Sequence, residues 1–595
     1  MRRLITLLLL ATFLLPALLH AQYTYTTNGS GLTITRFMGG GAVIIPSTAN
    51  GLPVTSIGED SFNDSFSLTS VVIPNSVTNI GDEAFSDCYS MTSVTLGTNV
   101  LSIANYAFQY CSKLPNLTIP ASVTNIGLDV FSGCTAFTNI TVTSPNPAYG
   151  SQNGVLFNQN ATTLVIYPQG LAGPYVVPDT VTDFAEDAFY ACSKLTSITS
   201  DTNLVTIEPA AFSGCYNLTN INLPTNVANI RDAAFAFCTN LTSVALPASV
   251  TNIEIGAFAE CLSLTNISVA PENPAFTGMG GVVFDKKMTT LDVYPAGLDG
   301  SYVIPDTVTS IGYAAFAYCG RLWNVTFPAG LTNIGIQAFY ECGLMTNAPL
   351  PPTLTTIGTY AFWECYKLQG LTIPDSVTTL GEEVFGACTS ITNVVIGNNI
   401  TNISDSMFAY CSGLRTATLG NSMTNIGYSQ FQNCSSLTKV TIGTGVTNIG
   451  YLAFANCSSL TNLTFLGNAP GIPGSQAFNN IDPAVKVYYQ PGTTGWGTSY
   501  GGAFDAPVNV AAGILPTTTL VNGPPPISES NPGIVTNEFA FTITGASNET
   551  VIVQASTNLL DWATVKTNTL PGAPLIFSDP NWRNYPQRFY RLIGQ

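Results

Sequence analysis

Charge is scarce in this chain: Asp, Glu, Lys and Arg make up only 9 % of its 595 residues, and histidine occurs once. The basic kind is the scarcer, with 17 Lys and Arg against 34 Asp and Glu. A phosphate backbone is bound by clustered Lys and Arg, so nucleic acid is excluded as a partner. The lone His20 falls in an N-terminal stretch that reads as removable. Without it Ser-His-Asp and Cys-His catalysis and the common zinc hydrolase sites are excluded together. There is no GxxxxGK(S/T) phosphate loop and no CxxC chelate. The expectation is a non-enzymatic chain with no cofactor and no metal.

Long apolar runs are also missing, with one exception. Residues 1–21 carry Arg2 and Arg3, an apolar stretch from Leu4 to Leu19, and His20-Ala21 ahead of Gln22. This pattern reads as a secretory signal peptide, and no second segment long enough to span a membrane follows it. The expected product is secreted or held at the cell surface. It would retain 15 basic side chains against 34 acidic ones, a formal charge of −19. That acidity suits the solubility of a large exposed surface. Leu515-Pro-Thr-Thr-Thr519 is not a sorting signal, because it lacks the glycine and a hydrophobic tail.

What the chain does have is period. Its fourteen cysteines run from Cys88 to Cys457 at intervals of 23, with two exceptions of 58. A phenylalanine stands three residues before each one, from Phe85 to Phe454, and Phe62 and Phe478 extend the series. Spacing this constant marks an internal repeat and not a disulfide framework. After each cysteine comes an apolar–x–x–apolar–x–apolar run such as Leu218-Thr-Asn-Ile221-Asn-Leu223, usually closed by Pro or Gly. That reads as one strand per repeat, the strands stacking in parallel. A return arm such as Val77 to Phe85 completes the turn, with the Phe side chains forming one continuous spine. A single turn buries too little to fold alone, so its stability comes from its neighbours. About sixteen or seventeen turns at roughly 4.8 Å each predict a sheet of about 80 Å. The cysteines are expected as small buried residues, mostly free thiols.

The two long intervals hold matched insertions, near 143–178 and 270–305. Asn146-Pro-Ala-Tyr149…Gly154-Val-Leu-Phe157 parallels Asn273-Pro-Ala-Phe276…Gly281-Val-Val-Phe284, each reading as a hairpin with its tip at Asn158 to Ala161 or Asp285 to Met288. Insertions in repeat arrays tend to emerge on one face, which makes these candidate recognition elements. Residues 22–60 read as an N-terminal cap and 61–510 as the repeat array, closed by Trp496 and Phe504. Residues 511–537 read as a Pro-rich linker. Five strand-like segments in 538–595 suggest a small all-β, sandwich-like C-terminal module.

The unit IPxSVTNIGxxAFxxCxxLTxV, seen from Ile73 to Val94 with Met91 in the leucine place, resembles the BspA-type leucine-rich repeat. The likeness covers residues 40–490, and the two insertions resemble variants within that family. It implies a mostly β solenoid of 23-residue leucine-rich repeats. It also implies a bacterial surface or secreted protein, some relatives of which adhere to host matrix or cells. The C-terminal segment resembles end modules of large exported proteins of environmental Gram-negative bacteria.

Candidate contacts follow from exposure. Between the last two inward strand residues lie Thr95, Thr118, Thr326 and Thr372, which alternation turns outward. Trp323 sits in one such strand, and Tyr149 and Phe276 flank the hairpin tips. Two functions fit: a binding or adhesion scaffold for extracellular proteins or cells, and a carbohydrate-binding component of an extracellular polysaccharide system. The acidic pairs Glu59-Asp60, Asp82-Glu83, Glu186-Asp187 and Glu382-Glu383 share one repeat position and read as solvated turn residues.

Overall fold

The computed structural model describes residues 22–200, 204–471, 476–482, 485–490 and 492–496, and strands within 499–594. Residues 1–21, read as a signal peptide, residues 515–537 of the expected Pro-rich linker and Phe504 lie outside the described residues. Residues 511–514, expected in the linker, instead end the strand Val508–Ile514, which pairs in parallel with Lys486–Tyr489. A 23-residue register governs the rest. Strands such as Asn116–Ile119 and Asn139–Val142 pair in parallel, Leu117 opposite Ile140, so every inward Leu, Ile or Val meets its counterpart one turn on. Val394, Ala417, Val440 and Leu463 form one such row. A second, two-residue strand per turn lies in the return arm. Asn79–Ile80 pairs with Ser102–Ile103, and that with Asn125–Ile126. No helix occurs among the described residues, and none is long and apolar enough to cross a membrane.

The arm carrying the phenylalanines is bound by a third set of bonds. The N–H groups of Glu83, Phe85 and Asp87 donate to the carbonyls of Asn105, Ala107 and Gln109 at 3.0, 2.8 and 2.9 Å. Every second N–H on the arm therefore points the same way, towards the following turn. Left-handed residues two before and two after the Phe make this possible, as at Glu83 (φ 51°) and Asp87 (φ 59°). Gly133, Gly214 and Gly256 fill such places, where a side chain costs most.

Each Phe ring lies over the next at 4.7–5.9 Å. The spine is not continuous, which corrects the expectation from sequence. It breaks at both insertions into three stacks: Phe37 to Phe131, Tyr167 to Phe258, and Tyr294 to Phe478. Three separate core clusters match them. The reason is a count of residues. Five positions separate Ile80 from Phe85, whereas three separate Leu164 from Tyr167 and Leu291 from Tyr294. The shortened arm cannot place its ring over the one before.

All fourteen cysteines are buried and free. Each thiol donates to the carbonyl of the preceding turn's Phe, at 3.0–3.3 Å for thirteen of them. Tyr167 and Tyr294 supply that carbonyl after the insertions, the second at a longer 3.7 Å from Cys319. Cysteine is thus a weak donor here as well as a small apolar filler. Burial pushes up the thiols of Cys111, Cys215, Cys319 and Cys411, and that of Cys457 to about 12.

At the N-terminal end Tyr23–Asn28 and Gly31–Phe37 form an antiparallel pair, and Phe37 stacks on Phe62 at 4.7 Å. At the other end Trp496 stacks on Tyr489 at 5.0 Å. Further on, Phe539–Ile543 pairs with Leu575–Asp579, and Thr550–Ser556 pairs with both Ala563–Thr569 and Phe589–Gly594, all antiparallel.

Candidate functional site

The insertions carry most of the non-repetitive chemistry. Each is a three-stranded meander and not a single hairpin. Tyr149–Gln152, Val155–Asn158 and Thr163–Ile166 pair antiparallel in sequence, as do Phe276–Met279, Val282–Asp285 and Thr290–Val293. The third strand rejoins the solenoid through Thr163 opposite Asp183, or Thr290 opposite Ser310. Gly173–Val176 and Gly300–Val303 then resume the main sheet.

The Asn-Pro-Ala motif at the root of each insertion is a staple. Buried Asn146 donates to the carbonyls of Pro120 and Val123 at 3.1 and 3.0 Å and accepts from the Ala148 and Tyr149 N–H groups at 2.8 Å. Asn273 repeats all four bonds with Pro247, Val250, Ala275 and Phe276. A fully paired buried amide fixes where the meander leaves the coil. At the tips, Asn158 accepts two backbone N–H groups, those of Thr162 and Thr163, and Asp285 accepts three, those of Lys287, Thr289 and Thr290. Burial raises Asp285, yet these donors outweigh it and hold its carboxyl below the usual range.

Among the aromatic candidates, Tyr149 and Phe276 are half-buried against the core. The Tyr149 hydroxyl accepts the Ile126 N–H at 3.1 Å, tying the ring to the coil. Trp323 is 50 % exposed, and Val176 and Val303, at matching places after the two insertions, are 71 % and 70 % exposed. Those two valines were missed from sequence, although their outward parity was readable. Thr95, Thr118, Thr326 and Thr372 are exposed at their outward position, as the alternation requires. Thr464 at the same position is buried, in the strand beside Lys486–Tyr489.

A cleft opens at each break in the Phe stack, and the arm's missing bonds explain it. At the first, of about 150 Å³, the Asp129 and Phe131 N–H groups have no following turn to meet and no partner among the described residues. Gln169 spans the gap instead, accepting the Gly133 N–H at 2.8 Å and donating to the Tyr190 carbonyl at 2.9 Å. Glu186 and Asp187 line this cleft, so that pair differs from the other three acidic pairs. Burial, then the charges of Asp129 and Glu186, lift Asp187 to about 7.

The second cleft, of about 350 Å³, has Gly256 and Phe258 on one wall and Tyr313 to Ala315 on the other. The Gly256 and Phe258 N–H groups are without partners among the described residues, and so is the Tyr313 carbonyl. Ala296 stands where Gln169 stands in the first copy. Asp292 replaces Val165, and burial followed by the charge of Asp285 lifts its carboxyl to about 7. No group of three His, Cys, Asp or Glu suited to a metal occurs among the described residues.

A parallel coil of leucine-rich turns with two matched interruptions defines the class. Residues 50–168, 174–285, 300–415 and 355–484 match the BspA type leucine rich repeat region, in six copies. The chain belongs to that family. Among solved structures it is similar to a leucine rich cell surface protein from Faecalibacterium prausnitzii, at 26 % identity over 70 % of this chain and 92 % of that one, with a TM-score of 0.37. It is similar also to the pneumococcal vaccine antigen PcpA, at 19 % identity over 83 % and 97 % of the two chains, with a TM-score of 0.32. The leucine-rich repeat protein of T. pallidum matches at 26 % identity over 41 % and 88 %, with a TM-score of 0.23. No curated protein matches the chain.

Proposed function

We propose that this protein is an exported, non-enzymatic scaffold that stands at the cell surface and binds extracellular proteins or other cells through the outward face of its main sheet. Family membership supports a repeat scaffold for binding, and the leader-like residues 1–21 support export. One observation carries the choice of face: Trp323, Val303 and Thr326 stand exposed together on paired strands, directly after the second insertion. Exposed Trp supplies large contact area at low entropic cost, and such residues dominate binding energies. The test uses the full chain, biotinylated, to capture solubilised surface proteins and intact cells. Replacing Trp323 by Ala together with Val303 by Ser is expected to weaken capture at least tenfold, with thermal unfolding unchanged. Capture equal to that of the parent chain would remove this face from the account.

A further inference from the structure

We infer that the cleft at the second interruption is a binding site for a neutral polyhydroxylated ligand, one residue of a saccharide, held between Gly256, Phe258, Tyr313 and Asp292. This goes beyond the adhesive reading and stands or falls separately, because it uses a different surface.

Every intact turn satisfies its arm by donating N–H groups to the next turn's carbonyls, as Ala233 and Phe235 do to Ile255 and Ala257 at 2.8 Å. At Gly256 and Phe258 the next turn is absent, so these donors face the cleft unused, as does the Tyr313 carbonyl across it. A backbone donor or acceptor left without a partner is costly, so an occupant that pairs both walls gains more than an ordinary surface contact. The Tyr294 N–H already reaches the Ala315 carbonyl through the middle of the gap, which leaves no room for an extended peptide.

The occupant must accept on one side and donate on the other. A hydroxyl does both. Of the acidic groups in the lining, Glu254 is taken by Arg231 at 3.1 Å, and Asp232 accepts the Ile255 N–H at 3.2 Å. Asp292 alone makes no hydrogen bond or ion pair among the described residues. No Lys or Arg lines the cleft, which disfavours an anion, while the open N–H groups disfavour a cation. Tyr313, 40 % exposed on the same lining, offers a ring for the apolar face of a sugar. The volume is at the lower end of small-molecule sites, roughly 300–1,000 Å³.

The first cleft provides the controls. Asp292→Val copies Val165, and Gly256→Asp copies Asp129, whose backbone is left-handed at φ 52° as Gly256 is at 58°. Both residues are already accepted by this fold in the matching place. The full chain is titrated by calorimetry and saturation-transfer NMR with methyl glycosides of glucose, galactose, mannose and N-acetylglucosamine, and with their trisaccharides. At least one probe is expected to bind, with a loss of tenfold or more in each variant and no fall in melting temperature. Tighter binding of a trisaccharide would identify a polymer as the source, and equal affinity a free sugar. No binding by any probe, or binding undiminished in both variants, would overturn the assignment.

Discussion

The uninterrupted run from Tyr294 to Phe478 and the two breaks at Phe131 and Phe258 use the same residues under opposite conditions. In the long run each Phe has a ring above and below it, and each arm N–H finds a carbonyl one turn on. At the second break Phe258 keeps a ring on one side only. At the first, Phe137 of the same turn stacks on Phe131 at 4.3 Å in place of a ring from the next turn, and at both the donors lose their acceptors. The difference shows that the repeat is stable as a stack and not turn by turn, so every end must be patched. Tyr23 and Phe37 patch the first end, Tyr167 and Tyr294 restart the stack, and Gln169 closes half of one gap.

The largest test of that contrast removes a ring from each setting. Phe385 is fully buried between Phe362 and Phe408, at 5.2 and 5.7 Å. Phe385→Ala is expected to cost about 3–5 kcal/mol, the range for emptying a close-packed aromatic site. Phe258, last of its stack, is 5 % exposed and has one ring neighbour at 5.4 Å, so Phe258→Ala should cost less. Denaturant unfolding of both variants checks this. Equal losses would mean that the stack is not broken at the insertion.

A smaller effect of opposite sign is expected inside the long run. The residue before each Phe is usually Ala, but here Val384, Met407 and Gln430 follow one another. Gln430 is buried, and neither its amide nitrogen nor its oxygen has a partner. Gln430→Met keeps the volume and removes both orphans, for a gain of about 1–3 kcal/mol. A lowered midpoint in the same unfolding experiment would show that the amide is paired in solution.

The register made the coil readable. Phe and Cys at constant spacing, with alternating apolar residues after them, leave a parallel stack as the arrangement that buries both, and the outward threonines follow from parity. The breaks were not read, because they depend on a difference of two residues between Leu164 and Tyr167 against Ile80 and Phe85. Aligning Tyr167 and Tyr294 with the Phe series would have revealed it. The clefts were further out of reach, since their walls are backbone donors whose partners are missing, and no side-chain pattern reports a missing carbonyl. The Asn-Pro-Ala motif stood out, but only three-dimensional contact with Pro120 and Val123 shows why its Asn is buried.

The finest test compares the two breaks with each other. Gln169 bridges the Gly133 N–H and the Tyr190 carbonyl, two groups that an intact arm would have joined to main chain. Gln169→Ala converts the first gap to the composition of the second, which has Ala296 there, and leaves both groups dependent on water. A net hydrogen bond contributes about 0.5–1.5 kcal/mol, so the loss should be about 1 kcal/mol, after allowing for the fixed side chain. Hydrogen exchange should locate it at Gly133 and its neighbours, with the long run after Tyr294 unaffected, because turns couple only to adjacent turns. The reverse change, Ala296→Gln, is expected to slow exchange at Glu260, the counterpart of Gly133, whose N–H is likewise without a partner among the described residues. If Ala296→Gln leaves Glu260 exchange unchanged while Gln169→Ala speeds that of Gly133, the two gaps differ in shape as well as in one side chain.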